Sequence, residues 1–293
     1  MLVVGEHDGR VGDGGAVADD SGMKAVSAST YAAAADHFDD SALSFWDRFG
    51  RATVARLGLR PGDRVFDACC GTGASALPAA HEVGAGGRVL GFDLAEPALA
   101  LARAKARGQG LSNVEFRSAD VEHIGLPSGA FDAVVCVFGV FFLPDMVAAV
   151  AELWRLVRPG GVLAVTVWGP EWLEPATTEF WAAVGAERPD LVKAFHPWTR
   201  VTSAEAVAEL LRSGGTPAPT VEAEPGTHPL ADPDDWWTIV LGTGYRATVE
   251  QLDPSGAARV RAANVAWLRD HEVSQLQVNV LYARAVKPGP AAG

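Results

Sequence analysis

A short apolar run, Val65-Phe66, delivers a carboxylate, Asp67, into a tight bend, Ala68-Cys69-Cys70-Gly71-Thr72-Gly73, from which a helix is predicted to start. Two glycines let backbone approach a ligand closely, because no side chain stands in the way. The helix start offers unpaired N–H groups. The spacing Gly71-x-Gly73-x-x-Ala76 alone also satisfies a dinucleotide fingerprint. Asp67 argues against that reading, since a carboxylate at the strand end repels a pyrophosphate. It attracts an ammonium, and a charge-assisted hydrogen bond contributes about 1.5–3 kcal/mol. The plain alternative is an Asp that caps the following helix.

Asp93 ends a second apolar run, twenty positions after Gly73. A carboxylate there can accept from both hydroxyls of a ribose; alone, it would equally cap a helix beginning at Glu96. Asp120-Val121 follows a third run, where an acid could accept from an exocyclic amine and Val121 could pack on a base; a solvated loop Asp is the alternative. Val137 and Phe138 close a fourth run at the same expected edge, where sheets of this kind bind ligands. A core strand end would look the same.

These residues need a scaffold that brings several strand ends together. From Gly58 onward, strand and helix patterns alternate. Strands are expected at 64–67, 88–92, 114–117, 131–138 and 162–168, with helices at 74–83, 96–107 and 145–157 between them. The run at 131–138 is continuously apolar, as a strand buried on both faces must be. The pattern predicts an α/β, doubly wound, mostly parallel seven-stranded sheet with helices on both faces. A long helix is expected over Tyr31–Leu57, and 28–58 forms an N-terminal helical segment over the ligand. Residues 59–169 make the core domain, and 170–270 a helical substrate cap holding a sixth strand. Residues 271–293 are read as the final strand, Gln275–Val286, and a tail. The Gly- and Asp-rich residues 1–27 read as a disordered, dispensable leader.

The motifs VFDACCGTG, GFD, SADVEHIGLP, FDAVVCVFGVFFLPD and LVRPGGVLAVTVWG occur in order over roughly residues 60–170. In this the chain resembles the class I S-adenosylmethionine-dependent methyltransferases. It is most similar to the ubiquinone/menaquinone-biosynthesis C-methyltransferase group. The resemblance implies S-adenosylmethionine as cofactor. It implies that Asp67, Cys69, Gly71 and Gly73 shape the methionine pocket, that Asp93 and Leu94 hold the ribose, and that Asp120 and Val121 meet the adenine. It further implies that Tyr31, on an N-terminal helix, approaches the cofactor carboxylate. Cys69 departs from the family, standing where a glycine is common.

The rest of the composition narrows the acceptor. Net charge is −12, with 36 acidic against 24 basic residues, and no basic stripe is present. This excludes phosphate-driven nucleic-acid binding and an anionic membrane surface. No Asn-Pro element or Pro-Cys pair of nucleic-acid-directed methyltransferases occurs. A small organic acceptor remains, with a C, O or N nucleophile. Seven of the nine tryptophans lie at or beyond Trp168, so the acceptor is expected to be hydrophobic. Phe142, Trp198, Trp236 and Trp237 are candidates to line its site, and equally to form the cap's own core. Methyl transfer from a sulfonium needs in-line positioning and a dry pocket, and a base only when the nucleophile arrives protonated. His196 and His228 are the candidate bases; each is equally a structural hydrogen-bonding residue. No metal site is expected.

Two other functions fit the glycine bend. One is an NAD(P)-dependent oxidoreductase, which must explain Asp67 and the missing Tyr-x-x-x-Lys pair. The other is a cofactor-binding protein that transfers no methyl group, a cyclase or scaffold. Three cysteines without a CxxC spacing and no evident signal peptide point to a cytoplasmic protein. The sequence carries no signal for oligomeric state and is compatible with a dimer.

Overall fold

The computed structural model describes residues 28–193 and 195–289. The leader read over residues 1–27 lies outside the described residues.

Seven strands form one sheet in the order β3-β2-β1-β4-β5-β9-β6. They are β1 (Arg64–Ala68), β2 (Arg88–Asp93), β3 (Val114–Ser118), β4 (Phe131–Val137), β5 (Val157–Trp168), β6 (Thr220–Glu224) and β9 (Val280–Val286). The first five run parallel, and β9 is antiparallel to both β5 and β6. Helices α3 (Ala76–Val83), α4 (Glu96–Gly108) and α5 (Met146–Leu156) connect the parallel strands. β1 to β3 grow to one side of the sheet while β4 and β5 grow to the other. The switch lies between β1 and β4, where such sheets leave a crevice beyond their carboxyl ends.

The central strands hold because their residues are mostly apolar on both faces. β1 is buried beyond Arg64, β4 except at Asp132 and Val137, and β5 from Gly161 onward. Phe66 packs edge-on against Phe92 at 5.1 Å and meets Phe131 at 5.4 Å, locking β1 to its neighbours under the crevice.

β5 begins at Val157, five residues before its expected start, and three other elements differ from the expectation. The long N-terminal helix is broken into α1 (residues 28–34), a 3-10 turn at Ser41–Leu43 and α2 (Phe45–Ala55). The break falls at Asp39-Asp40-Ser41, where Asp40 accepts from the Ala42 N–H at 2.9 Å and starts a new turn. The final strand is two. Gln275–Gln277 (β8) pairs with Thr227–Pro229 (β7) in a separate ribbon, while β9 joins the main sheet. Asn279 makes the corner, accepting from the Gly226 N–H and donating to the Pro170 carbonyl. Helix α3 starts at Ala76, two residues later than expected, because residues 71–75 are spent on the bend.

Residues 170–270 contribute β6 to the sheet edge and otherwise pack mostly helices, α6 (Ala176–Glu187), α7 (Ala204–Ser213), α8 (Asp235–Leu241), α9 (Arg246–Val249) and α10 (Pro254–Asp270). Each of α7 and α10 has a side-chain N-cap, Ser203 and Asp253. Among the described residues, no helix is long and apolar enough to cross a membrane.

Candidate functional site

The carboxyl ends of β1, β2, β3 and β4 open on one cavity. The β1 bend supplies Cys69, Cys70, Gly71, Thr72, Ala74 and Ser75 to its wall. β2 supplies Asp93 and Leu94, the turn after β3 Asp120 and Val121, and the end of β4 Val137, Phe138 and Gly139. Tyr31, Phe38 and Trp46 cover it from the N-terminal segment, and Phe142 and Leu143 close it beyond β4. Two carboxylates line the cavity and, among the described residues, no Lys, Arg or His does.

The bend takes its shape from an unusual backbone. Cys69 and Gly71 both lie in the left-handed region, at φ 58° and 51°. For a side-chain-bearing residue that conformation costs about 1–2 kcal/mol, which explains why glycine is common at the Cys69 position. At Gly71 a Cβ would meet no protein atom within 4 Å, so the bend leaves open space above its backbone.

Asp67 is fully buried one layer beneath this bend and does not itself line the cavity. The Ser75 hydroxyl, which does, donates to Asp67 Oδ2 at 2.7 Å. Asp67 Oδ1 is buried and, among the described residues, meets no donor in good hydrogen-bond geometry. Burial pushes this carboxyl up to about 7; the Asp93 charge adds to the shift, and the Ser75 hydroxyl and the Ala76 N–H oppose it. A buried acceptor oxygen beneath an acid-lined bend is complementary to a cation.

Asp93 lines the cavity and organises it. Its Oδ2 accepts from the Gly71 N–H at 2.9 Å and its Oδ1 from the Ala95 N–H at 2.8 Å. Burial raises its carboxyl above the usual range, and the N–H groups of Ala95, Gly71 and Leu94 pull it back. Leu94 is 43% exposed at the rim. Asp120 accepts from the Glu122 N–H at 2.9 Å, which fixes the turn that presents Val121.

The far end is aromatic. Tyr31 meets Phe142 edge-on at 5.2 Å and Phe38 at 6.1 Å, and Phe38 meets Trp46 at 5.7 Å. Phe138, itself left-handed at φ 53°, stacks on Trp168 at 3.8 Å. Burial raises the Tyr31 hydroxyl above its ordinary value, so it stays protonated as a donor. The Cys70 thiol is likewise raised by burial, and that of Cys69 by its hydrogen bond with Cys136 and by burial.

Five sequence candidates stand elsewhere, and Gly73 faces a neighbouring groove. His196 stacks on Trp198 at 4.8 Å in the cap, where burial and then Lys193 lower it to about 4. The ring of His228 bonds the Ala42 carbonyl at 2.9 Å and is buried there. Trp198 and Trp236 are buried in the cap, the latter donating to Asn264 Oδ1 at 2.7 Å, and Trp237 packs on the same core. They belong to the cap's own core, Trp198 packing on Trp172 and Tyr245, and Trp236 on Phe180 and Tyr245. Conversely, Phe38, Trp46, Ser75 and Leu143 line the cavity without having been singled out for it. Phe38 and Trp46 both fall within the helix expected over Tyr31–Leu57.

Residues 65–161 match the family described as "Methyltransferase domain". The chain is 31% identical over 261 residues to the nocamycin O-methyltransferase of Saccharothrix syringae, covering 80% of this chain and 88% of that protein. It is a class I S-adenosylmethionine-dependent methyltransferase. The methyltransferase is also 32% identical over 115 residues to the demethylmenaquinone methyltransferase of Lactococcus lactis subsp. lactis (strain IL1403), covering 39% of this chain and 46% of that protein. Its fold matches a Haemonchus contortus phosphoethanolamine N-methyltransferase 2 in complex with S-adenosyl-L-methionine. That match has a TM-score of 0.53 at 18% identity and covers 92% of this chain and 57% of that chain.

S-Adenosylmethionine is therefore the cofactor, and the cavity's chemistry fits it. The buried Asp67 oxygen and the open space at Gly71 suit an amino-acid tail, and the acids at β2 and after β3 suit a nucleoside. A pyrophosphate would find two carboxylates and no basic side chain among the described lining residues. Neither the oxidoreductase nor the non-methylating alternative gains support.

Proposed function

We propose that this methyltransferase carries the methyl group to a C, O or N nucleophile of a small hydrophobic metabolite, polyketide- or quinone-like in shape, held against the aromatic end of the cavity. Bound S-adenosylmethionine supplies an activated methyl group on a sulfonium. Ser75, backed by Asp67, would hold the methionine tail together with Cys69 and Gly71, with Tyr31 toward its carboxylate. Asp93 and Leu94 would hold the ribose, and Asp120 and Val121 the adenine. Val137 and Phe138 would flank the reacting end, and Phe142 the acceptor. The chain's work is to bind, align and exclude water, which is sufficient for an in-line displacement.

One observation carries this reading: a single cavity runs from the carboxylates of Asp93 and Asp120 to the rings of Tyr31, Phe38, Trp46 and Phe142. The three free thiols fit a reducing, cytoplasmic setting. The test is incubation of the protein with methyl-labelled S-adenosylmethionine and an extract of small metabolites, read by mass spectrometry. Label in a hydrophobic product of low mass supports the reading. Label found only in protein or nucleic acid, or in nothing, contradicts it.

A further inference from the structure

We infer that Lys105, acting through the Thr72 hydroxyl, is a positioning residue for the carboxylate of the cofactor's methionine tail. The inference deepens the proposed function and rests on its placement of that tail at the β1 bend.

The tail is zwitterionic, so a wall that receives its ammonium must also receive its carboxylate. Asp93 lines the cavity and Asp67 lies beneath the bend, and each, when ionised, repels an anion. Among the described residues no Lys, Arg or His lines the cavity to oppose them. One cation reaches the bend from outside. Lys105, on α4, faces the neighbouring groove with Gly73 and Ala74, and its Nζ donates to Thr72 Oγ1 at 3.2 Å. Thr72 stands between two left-handed glycines, Gly71 at φ 51° and Gly73 at φ 89°. It is buried in the protein and lines the cavity. Arg51 and His81 share the groove, where His81 bonds Gln109. Among the described residues, neither of them bonds a side chain of the cavity wall.

The directions of two hydrogen bonds sort the two ends of the tail. Ser75 gives its proton to Asp67, so what it keeps for a ligand is a lone pair, which accepts from an ammonium. Thr72 accepts from Lys105, whose ammonium can only donate, so it keeps its proton, which a carboxylate accepts. Among the described residues, no other group takes that proton. Each wall hydroxyl is thus backed by a charge opposite to the one it meets. Behind Ser75 stands a carboxylate, and behind Thr72 an ammonium. Bonds in such a chain polarise one another, so the charge behind strengthens the bond in front. Lys105 also pairs with Asp39, in the segment that covers the cavity. Asp39 is half exposed, so solvent screens that pair more than the bond to buried Thr72. One lysine therefore ties the covering segment to the bend where the tail lies.

The test is binding to the full-length protein, independent of turnover. The ligands are S-adenosylhomocysteine, its decarboxylated analogue, which keeps the ammonium, its deaminated analogue, which keeps the carboxylate, and 5′-methylthioadenosine, which lacks both. Lys105→Met should weaken S-adenosylhomocysteine and the deaminated analogue by about tenfold, and change the other two by less than about twofold. The unchanged ligands show that the variant's site is intact. Thr72→Val should show the same selectivity, and the double variant should lose no more than the larger single loss. Lys105→Arg should recover most of the affinity, and Asp39→Asn should keep the carboxylate preference. Equal weakening of every ligand by Lys105→Met, weakening of none, or additive losses in the double variant overturns the inference. So does a loss of carboxylate preference in Asp39→Asn as large as in Lys105→Met, which would place the lysine's role in the covering segment alone. If the native protein prefers neither analogue to 5′-methylthioadenosine, the placement of the tail at the bend has itself failed. If it does prefer them and Lys105→Met keeps the full carboxylate preference, only the role of Lys105 falls.

Discussion

The hydroxyl of Ser75 donates to Asp67 at 2.7 Å, joining a side chain on the cavity wall to a carboxylate that is fully buried behind it. Among the described residues, no donor meets the other oxygen of Asp67 in good hydrogen-bond geometry, the Ala76 N–H lying nearby. This arrangement is costly without a cation nearby and favourable with one, so the charge state of Asp67 should report on the cofactor's tail.

Burial holds the Asp67 carboxyl near 7, above its ordinary value. For folding, a raised carboxyl contributes stability that is full below about pH 4 and is lost as pH rises through about 7. For cofactor binding the sign reverses. An ammonium favours the carboxylate, so binding releases a proton, and affinity rises with pH up to about 7 and then levels. Titrations with S-adenosylhomocysteine at pH 6 and pH 8, in buffers of different ionisation enthalpy, should show this release in the native protein and not in Asp67→Asn. Thermal melts of the unliganded Asp67→Asn protein should fall less between those two pH values.

Asp93 serves both the bend and the nucleoside. Asp93→Ala should weaken cofactor binding by about 1–3 kcal/mol through lost charge-assisted hydrogen bonds. Asp93→Asn, which keeps one oxygen for the Gly71 N–H, should lose less. Isothermal titration checks the order, and an unchanged affinity in Asp93→Ala removes this residue from the site.

Cys69 and Gly139 are in close apposition across the cavity floor. A Cβ at Gly139 would collide with Cys69 Cβ. Gly139→Ala should therefore destabilise the protein by about 1–3 kcal/mol, an overpacking cost. Cys69→Gly should be tolerated, because glycine suits φ 58°, and should partly rescue Gly139→Ala. Denaturant melts of the two single variants and the double variant measure that coupling; strict additivity would contradict it.

The two histidines should affect stability, not chemistry. His228→Ala leaves the Ala42 carbonyl without its ring partner in a buried site, and should cost about 1–3 kcal/mol by denaturant melt. Neither His228→Ala nor His196→Ala should remove a limb from the pH–rate profile. Loss of one would restore that histidine as a base.

Much of this was legible in the residue order. The motifs sit at strand ends, and strand ends are fixed by apolar runs and glycine bends, so Asp93, Asp120, Val121 and Phe138 could be placed in one crevice. Asp67 was legible as a carboxylate in the bend but not as a buried one, because its depth depends on the Ser75 contact eight residues away. The acceptor end was less legible. Phe38 and Trp46 reach it only because the Asp39-Asp40-Ser41 break swings their segment over the sheet, and a helical period hides such a break. The cap's tryptophans were open to either use for a different reason. Aromatic residues serve a small helical core as readily as a ligand, and only packing separates the two uses.

The most direct measurement compares S-adenosylhomocysteine with 5′-methylthioadenosine, which lacks the amino-acid tail, in the native protein and in Asp67→Asn. The native protein should prefer the tailed ligand by about 100-fold, and Asp67→Asn should reduce that preference by at least about tenfold while leaving 5′-methylthioadenosine affinity unchanged. Equal loss for both ligands, or for neither, would contradict the claim that Asp67 stands behind the bend for a positively charged tail.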